Sequence, residues 1–236
     1  AVVGRVEHSR LARQDRHQHI VRGLGGGCLR RAGGTLAEAL DITLQGQHVR
    51  LVPLRIDHAA GLLPHAREPE IWQYMPYGVI DSLERMHWLI GEMHRRRDKG
   101  SDLPFAITKT TPDGSEGEPI GMTRYMFIDR ANRGTEIGGT WLGAAHRRSA
   151  CNTETKLLMF QHAFEAWQCV RIQLRTDTRN TRSQRAIERI GAVREGVFRK
   201  NMIMPDGYVR SSIFYSIIDE EWPAVRARLQ EMLSAH

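Results

Sequence analysis

The fold is decided by residues 136–167, which read EIGGTWLGAAHRRSACNTETKLLMFQHAFEAW. The first part, residues 136–143, is apolar and interrupted by glycines, which is typical of a buried strand. A short basic loop, residues 144–151, follows. Apolar residues then recur every three or four positions, which predicts an amphipathic helix that begins near Asn152 or Thr153. The apolar positions are Leu157, Phe160, Phe164 and Trp167, and Lys156, Gln161 and Glu165 are the polar ones between them.

This strand, loop and helix start predict an anion site. The amides of a helix's first turn have no carbonyl partner within the helix, and the helix dipole adds partial positive charge at the same end. Arg147 and Arg148 add two full charges. The arrangement therefore suits a pyrophosphate bound chiefly through main-chain amides, and an ordinary basic loop is the alternative. The candidate residues are Arg147, Arg148, Ser149, Ala150, Cys151, Asn152 and Thr153.

A second segment follows at a matching distance along the chain. It holds Asp177, Asn180 and Ser183, and then AIERIGAV at residues 186–193. Together with TWLG, the short loop and NTE before the long helix, this order resembles the acetyl-CoA-binding core of the GNAT superfamily of acyl-CoA-dependent N-acyltransferases. The resemblance is greatest to the Rim type, which acetylates protein N-termini and includes relatives that act on small amines. It extends over residues 44–233 in element order.

One part of the loop departs from the family pattern. The two positions where the family has glycine are occupied here by Arg148 and Ala150. Glycine lets the main chain come close to a phosphate. Either arginine side chains substitute for that contact, or binding is weakened.

The rest of the chain predicts an α+β fold. Val170, Ile172 and Leu174 alternate with polar residues, which indicates a strand beside the TWLG strand. Strand, helix and strand in this order form a right-handed crossover with the two strands parallel. The GNAT resemblance agrees, and it implies a mixed, mostly antiparallel sheet of six or seven strands with helices on both faces and a splayed parallel pair. The splay would free main-chain amides near Trp141 and Leu142 to bind pantetheine and the thioester oxygen.

Two residues are candidates for the chemistry. Glu136 is predicted to be the general base, directly or through water, if partial burial raises its pKa; the alternative is a strand-edge glutamate in a salt bridge. Ser183 matches the family's Asn-x-x-Ser, which implies a proton donor to the leaving thiolate or a hydrogen bond to the cofactor. An ordinary first-turn serine is the alternative. Asn180 is expected to cap the same helix and to lie near pantetheine.

The early helices are expected to cover the acceptor end of the slot, as the resemblance implies. Trp72, Met75 and Tyr77 are the candidate substrate-binding residues there, and simple core packing is the alternative. No recognisable amine-binding signature accompanies them, so the acceptor is not specified.

Composition sets limits on partners and compartment. The 236 residues carry a net charge of +7, with 41% apolar residues. The charge suits an anionic partner such as CoA or reflects arginines dispersed over solvated faces, and the dispersal disfavours nucleic acid. Three cysteines without a CxxC pair and eleven histidines without a ligand motif predict neither a disulfide framework nor a metal. No apolar run reaches the ~20 residues that a membrane span needs, so a soluble, cytoplasmic protein without membrane contact is expected.

The chain is predicted to have two parts. Residues 1–41 are rich in arginine, histidine and glycine and read as a flexible basic arm, whereas residues 42–236 form the GNAT-like domain. The GLGGG run at residues 23–27 has neither a preceding strand nor a following Lys-Ser/Thr pair, so no phosphate loop is expected there.

Together these features predict an N-acetyltransferase. Acetyl-CoA would be the acyl donor, and a primary amine, either a protein N-terminus or a small molecule, would attack it directly in a ternary complex. The alternative is a catalytically silent GNAT-like module that binds CoA or a partner, which the missing loop glycines motivate. A homodimer is one open alternative for the oligomeric state.

Overall fold

The computed structural model describes residues 42–235, so the predicted arm at residues 1–41 lies outside the described part. The centre of this part is one sheet of eight strands in the order β1-β2-β3-β4-β5-β6-β8-β7. The strands are β1 (Leu44–Gln45), β2 (Val49–Pro53), β3 (Leu103–Thr110), β4 (Glu116–Asp129), β5 (Gly134–Leu142), β6 (Arg171–Asp177), β7 (Val193–Ile203) and β8 (Val209–Ile218).

Neighbouring strands of this sheet run antiparallel except β5 and β6. This parallel pair is joined only between residues 134–136 of β5 and residues 171–173 of β6. Both strands continue beyond these residues without pairing to each other, so the sheet opens into a slot. The mixed sheet and its splayed parallel pair confirm the predicted α+β fold, with one strand more than the upper end of the expected six or seven.

Helices cover both faces of the sheet. α1 and α3 pack on one face, called the front face below, over an apolar core that includes Val52 and Trp141. α4 and α6 pack on the opposite face, the back face, over a larger core that includes Phe105 and Tyr125. The α-helices of residues 42–235 are α1 (Ala59–Ala66), α2 (Pro69–Trp72), α3 (Leu83–Asp98), α4 (Ala150–Gln161), α5 (Thr181–Arg189) and α6 (Trp222–Ser234), and a π-helical turn at His162–Ala166 continues α4.

The helix after the central loop begins earlier than the sequence pattern predicts. The N-cap of α4 is Ser149, whose Oγ accepts a hydrogen bond from the Cys151 amide at 3.3 Å. The sequence pattern placed the helix start near Asn152 or Thr153, and the structure places it at Ala150. A 3-10 turn at Ala144–His146 lies in the loop, and Ser149 follows it as the cap.

The second helix start agrees with its prediction. Asn180 caps α5, and its Oδ1 accepts a hydrogen bond from the Ser183 amide at 3.0 Å. Gly191 follows the helix with a φ of +97°, the left-handed conformation that commonly ends a helix.

The inner side of α4 carries more polar residues than its apolar spacing suggests. Lys156, expected on the polar outer face, is buried, and its Nζ donates to Thr140 Oγ1 at 2.9 Å. Glu154 is also buried and accepts hydrogen bonds from the amides of residues 47–49 at 2.8, 2.7 and 2.7 Å. Three charge-assisted hydrogen bonds offset much of the cost of burying this carboxylate. They also tie α4 to the start of β2.

Among residues 42–235, no helix combines the length and the apolar character that a bilayer crossing needs. Across the same residues, His, Cys, Asp and Glu side chains form no group of three or more that could hold a metal ion.

Candidate active site

The slot between β5 and β6 lies beside a bulge in β5. Met122 of β4 is opposite Trp141, and Arg124 is opposite Gly138, so β5 has one extra residue over this interval. The bulge contains Gly139, whose φ of +60° lies in the left-handed region that favours glycine. Residues 138–140 are partly exposed, in contrast to the buried residues on either side of them. The bulge therefore leaves the main chain of β5 accessible next to the slot.

Trp141 and Leu142 follow the bulge and leave opposite faces of the sheet. The Trp141 ring packs edge to face against Trp72 in the front core, with 5.5 Å between the ring centroids. The Leu142 side chain lies in the back core. Both side chains are buried in these cores, so the slot meets mainly the main chain of these residues, and the Trp141 ring also lines a small pocket on the front face.

The loop after β5 is fixed by an arginine. Arg147 Nε donates to the Leu142 carbonyl at 3.0 Å, and its guanidinium forms an ion pair with Glu68 at 2.9 Å. Arg148 is exposed and has a φ of +58°. Arg148 therefore adopts the left-handed conformation at a position where the family pattern has glycine. Arg147 holds the loop, and Arg148 is the arginine that faces solvent.

The first turn of α4 presents amides rather than side chains at its open end. Ala150, Cys151 and Thr153 are buried, and Ser149 and Asn152 are half-buried. The Cys151 amide is satisfied by Ser149, whereas the other amides of this turn precede the first intrahelical hydrogen bonds. A helix start of this kind favours an anion.

The α5 helix begins at the same end of the slot, because β5 and β6 are parallel and α4 and α5 follow them. Ser183 is half-buried in the first turn of α5. Its amide donates to the capping Asn180, and its hydroxyl has no hydrogen-bond partner within residues 42–235. Asn180 and Ser183 are therefore placed together with the loop of α4 at one edge of the sheet.

Glu136 lies at the last paired position of β5, where the slot opens, and it is 2% exposed. Its Oε1 forms an ion pair with Arg175 Nε at 2.9 Å, and its Oε2 accepts from Gln173 Nε2 at 2.8 Å. Burial raises the pKa of the Glu136 carboxyl, and Arg175 and Gln173 act in the opposite direction. Glu136 therefore forms a salt bridge, which was the alternative to a role as general base. Its position at the opening of the slot is also one from which a base could act.

A small pocket lies on the front face beside Gly139. Trp72, Tyr77 and Arg124 line part of it, and the Tyr77 hydroxyl accepts from Arg124 Nη2 at 2.5 Å. Trp72 Nε1 donates to the Ala66 carbonyl at 2.7 Å, so its ring is fixed. The structure brings two of the three predicted acceptor residues together in this pocket. Met75 packs against the front core and does not line it.

Three arginines near this site were not identified from the sequence: Arg124, Arg175 and Arg210. All three lie on strands and point to the front face, and in β6 Gln173 and Arg175 alternate with the apolar Ile172 and Leu174. This alternation predicts a strand with one polar face, and such a face is ordinarily solvated. The signal for a site would have been the repetition of arginine on two strands that flank one another.

Comparison with known proteins identifies the class. The family model described as an Acetyltransferase (GNAT) domain matches residues 48–193. The matched part contains the slot, the loop after β5 and all of α4 and α5. It is more than half of the chain, and the chain belongs to this family.

Individual relatives agree with this assignment. YjcK of Bacillus subtilis (strain 168), named as a probable N-acetyltransferase, is 30% identical over 113 residues, which are 48% of this chain and 60% of YjcK. The match thus spans less than two thirds of that relative. A GCN5-related N-acetyltransferase from Brucella melitensis is 26% identical, with a TM-score of 0.74 over 82% of this chain and 86% of that one. Mycobacterium smegmatis RimJ, solved with CoA-disulfide, shares the fold at 22% identity, with a TM-score of 0.67 over 81% and 93% of the two chains.

Proposed function

We propose that the protein transfers the acetyl group of acetyl-CoA to a primary amine, either a protein N-terminus or a small molecule. The observation that carries the proposal is the slot between β5 and β6, which opens directly before a loop and a helix start suited to a diphosphate. Membership of the GNAT family supports the same reading. In this proposal the cofactor is a substrate, and no metal takes part.

The donor would be held mainly by main-chain groups. The accessible edge of β5, near Trp141 and Leu142, hydrogen-bonds the pantetheine arm and the thioester oxygen. Residues 147–153 bind the pyrophosphate through first-turn amides, and the exposed Arg148 adds charge. Donors aimed at the thioester oxygen also stabilise the negative charge that develops there during attack.

The reaction then requires two proton transfers. The amine nitrogen forms a bond to the carbonyl carbon, the carbon–sulfur bond breaks, and one amine proton passes to Glu136, directly or through water. The thiolate that leaves is protonated through the Ser183 hydroxyl, which has no other partner in the described part of the chain. Ser183 gives one proton to the sulfur and takes one from solvent water in the same step, so no alkoxide is left. Cys151 is buried and is not needed as a nucleophile.

The test of this function is Glu136→Gln. We expect turnover to fall more than about tenfold, because a general base contributes at least that much. The CoA-dependent shift in melting temperature should stay unchanged. Thiol release from acetyl-CoA with a panel of amines measures the first quantity, and Glu231→Gln, an exposed change on α6, is the control. Equal turnover in wild type and Glu136→Gln at neutral pH would remove Glu136 from the mechanism.

A silent CoA-binding module is the second candidate. It is favoured by the absence of the family's loop glycines and by the ion pair that occupies Glu136. A CoA-dependent thermal shift without thiol release, across N-terminal peptides, polyamines and amino acids, would support the module over the enzyme.

A further inference from the structure

Charged side chains form a group on the front face of the sheet next to the slot. We call it the front cluster, and it consists of Glu136, Arg175, Asp177, Arg179 and Arg210. Side chains alternate between faces along a strand, and the register of β5, β6 and β8 places the strand members of the cluster on the same side. The opposite side of these strands belongs to the back core.

The charges of the front cluster do not balance. Arg175 forms its ion pair with Glu136 at 2.9 Å, and Arg179 forms one with Asp177 at 3.3 Å. Arg210 has no ion pair with any residue between 42 and 235. Three guanidinium groups therefore share two carboxylates, and one positive charge is in excess.

Arg210 is the group that carries this excess. It is 6% exposed, and its Nε donates to Ser212 Oγ and its Nη1 to the Tyr74 carbonyl, both at 3.0 Å. Its Nη2 has no hydrogen-bond partner in the described residues. Burial lowers the pKa of Arg210, with only partial compensation from Asp177. A buried guanidinium without a carboxylate partner is costly, and a ligand that supplies the carboxylate would remove much of that cost.

Arg175 is held between aromatic rings beside the slot. Its guanidinium lies 5.1 Å from the Phe127 ring centroid and 6.0 Å from that of Phe214. Phe127 is 54% exposed and has a φ of +50°, an uncommon conformation for this residue type. The two rings restrict the orientation of the Arg175 guanidinium, whose side chain is 19% exposed, and a guanidinium held in one plane suits a planar anion.

We propose that the acceptor of the acetyl group carries a carboxylate, which Arg210 and Arg175 bind while the amine lies near Glu136. The inference rests on the proposed function and names its substrate class. A guanidinium binds a carboxylate through two parallel hydrogen bonds. An acceptor with a second amine, such as a polyamine, instead meets the excess positive charge and is disfavoured.

The wild-type protein tests this substrate class directly. Acceptors are compared in pairs that differ only in carboxylate against carboxamide, for example β-alanine with β-alaninamide and Ala-Asp with Ala-Asn, with spermidine as a polyamine. We expect kcat/KM from thiol release to favour the carboxylate of the best pair by about tenfold or more, because a site built for a polar group rejects the analogue that lacks it. Spermidine should be the poorest acceptor.

The variant Arg210→Gln tests the residue. It should lower kcat/KM for the carboxylate member about tenfold and leave the carboxamide member within about threefold. Arg228→Gln, an exposed change on α6 at the back face, is the matched control and should change neither. CoA-dependent thermal shifts check that both variants fold. If Arg210→Gln does not fold, Arg210→Lys replaces it, and we expect a smaller carboxylate preference because lysine lacks the planar fork.

The outcomes separate the inference from the function. Equal kcat/KM within every pair, or an unchanged ratio in the Arg210 variant, would overturn the carboxylate site and leave acetyl transfer intact. Thiol release with none of the acceptors, despite CoA binding, would overturn the proposed function and this inference with it.

Discussion

Lys156 is a buried amine next to the slot, with Thr140 Oγ1 as its hydrogen-bond partner. Burial lowers the pKa of Lys156 from 10.5 to about 7. Between these two values the unfolded chain binds more protons than the folded protein. Stability therefore rises with pH in this window, by at most about 1.4 kcal/mol per pH unit. Below pH 7 the lysine is charged in both states, and the full desolvation cost is present.

We expect Lys156→Met to remove this dependence. At low pH the free energy of unfolding of Lys156→Met should exceed that of wild type by the largest amount. This difference should decrease as pH rises, because wild type gains stability and the variant does not. Urea unfolding at about pH 6, 8 and 9.5 measures the difference. Lys99→Met, at the exposed end of α3, is the control without a buried amine. A difference that stays constant across the three values would contradict the assignment.

The structural position of a single side chain was predictable from the sequence only where the residue belongs to a motif of set spacing. Asn180 was predicted because a cap precedes its helix by a set distance. Lys156 was placed on the wrong face, because its position in the helical period is polar and nothing local says which polar residue a tertiary contact will bury. The same holds for Arg210, whose burial depends on Tyr74, a residue 136 positions away.

Among the elements of the fold, the bulge in β5 distinguishes the slot from an ordinary pair of parallel strands. Gly139 and Gly114 both have left-handed φ values, +60° and +76°. A Cβ at Gly139 would lie 3.3 Å from Arg124 Nε, whereas a Cβ at Gly114 would meet nothing within 4 Å. The two glycines therefore share the conformational requirement and differ in what surrounds them.

We expect Gly139→Ala and Gly114→Ala to cost a similar backbone strain, about 1–2 kcal/mol each. Only Gly139→Ala should also lower turnover, by about tenfold or more, because it displaces Arg124 and the main chain that faces the slot. Chemical unfolding and thiol release measure the two effects. If both variants keep wild-type turnover, the bulge geometry has no part in the reaction.

The loop after β5 offers a second test. Arg148 has a φ of +58°, so Arg148→Gly relieves backbone strain at a place where the family has glycine. We expect CoA affinity to stay equal or improve, as measured by the CoA-dependent thermal shift. Arg148→Val, which disfavours this conformation, should weaken binding. A large loss of affinity in Arg148→Gly would show instead that the arginine side chain has replaced the glycine contact.

The order of elements was predictable, and their exact limits were not. Strand, loop and helix between residues 136 and 167 follow from apolar spacing alone. The start of α4 at Ala150 depends on the Ser149 cap and on the 3-10 turn before it, and apolar spacing indicates neither of them. The bulge at Gly139 is defined by the pairing of β5 with β4, because β5 has its extra residue only in comparison with β4. The sequence of β5 alone therefore does not predict it.

The two faces of the sheet have different roles in the molecule. The back face, with α4 and α6, is an apolar core that holds β5 and β6 in position. The front face combines a smaller core with the front cluster and the pocket. In the proposed reaction the donor enters at the edge where α4 and α5 begin, and the acceptor approaches from the front. The slot is the place where the two meet.

This division predicts which part of the chain suffices for function. Residues 42–235 contain both cores, and β1 and the turn after it are needed because the amides of residues 47–49 satisfy the buried Glu154. We expect a chain of residues 42–236 to match the full chain in unfolding free energy and in CoA-dependent thermal shift.

A chain of residues 50–236 should lose about 3 kcal/mol or more of unfolding free energy, because it leaves the buried Glu154 carboxylate without its donors. Glu154→Gln in the longer chain separates that loss from the loss of β1 itself. If residues 42–236 fold but no longer bind CoA, the first 41 residues contribute to the site, and the domain limit proposed here is wrong.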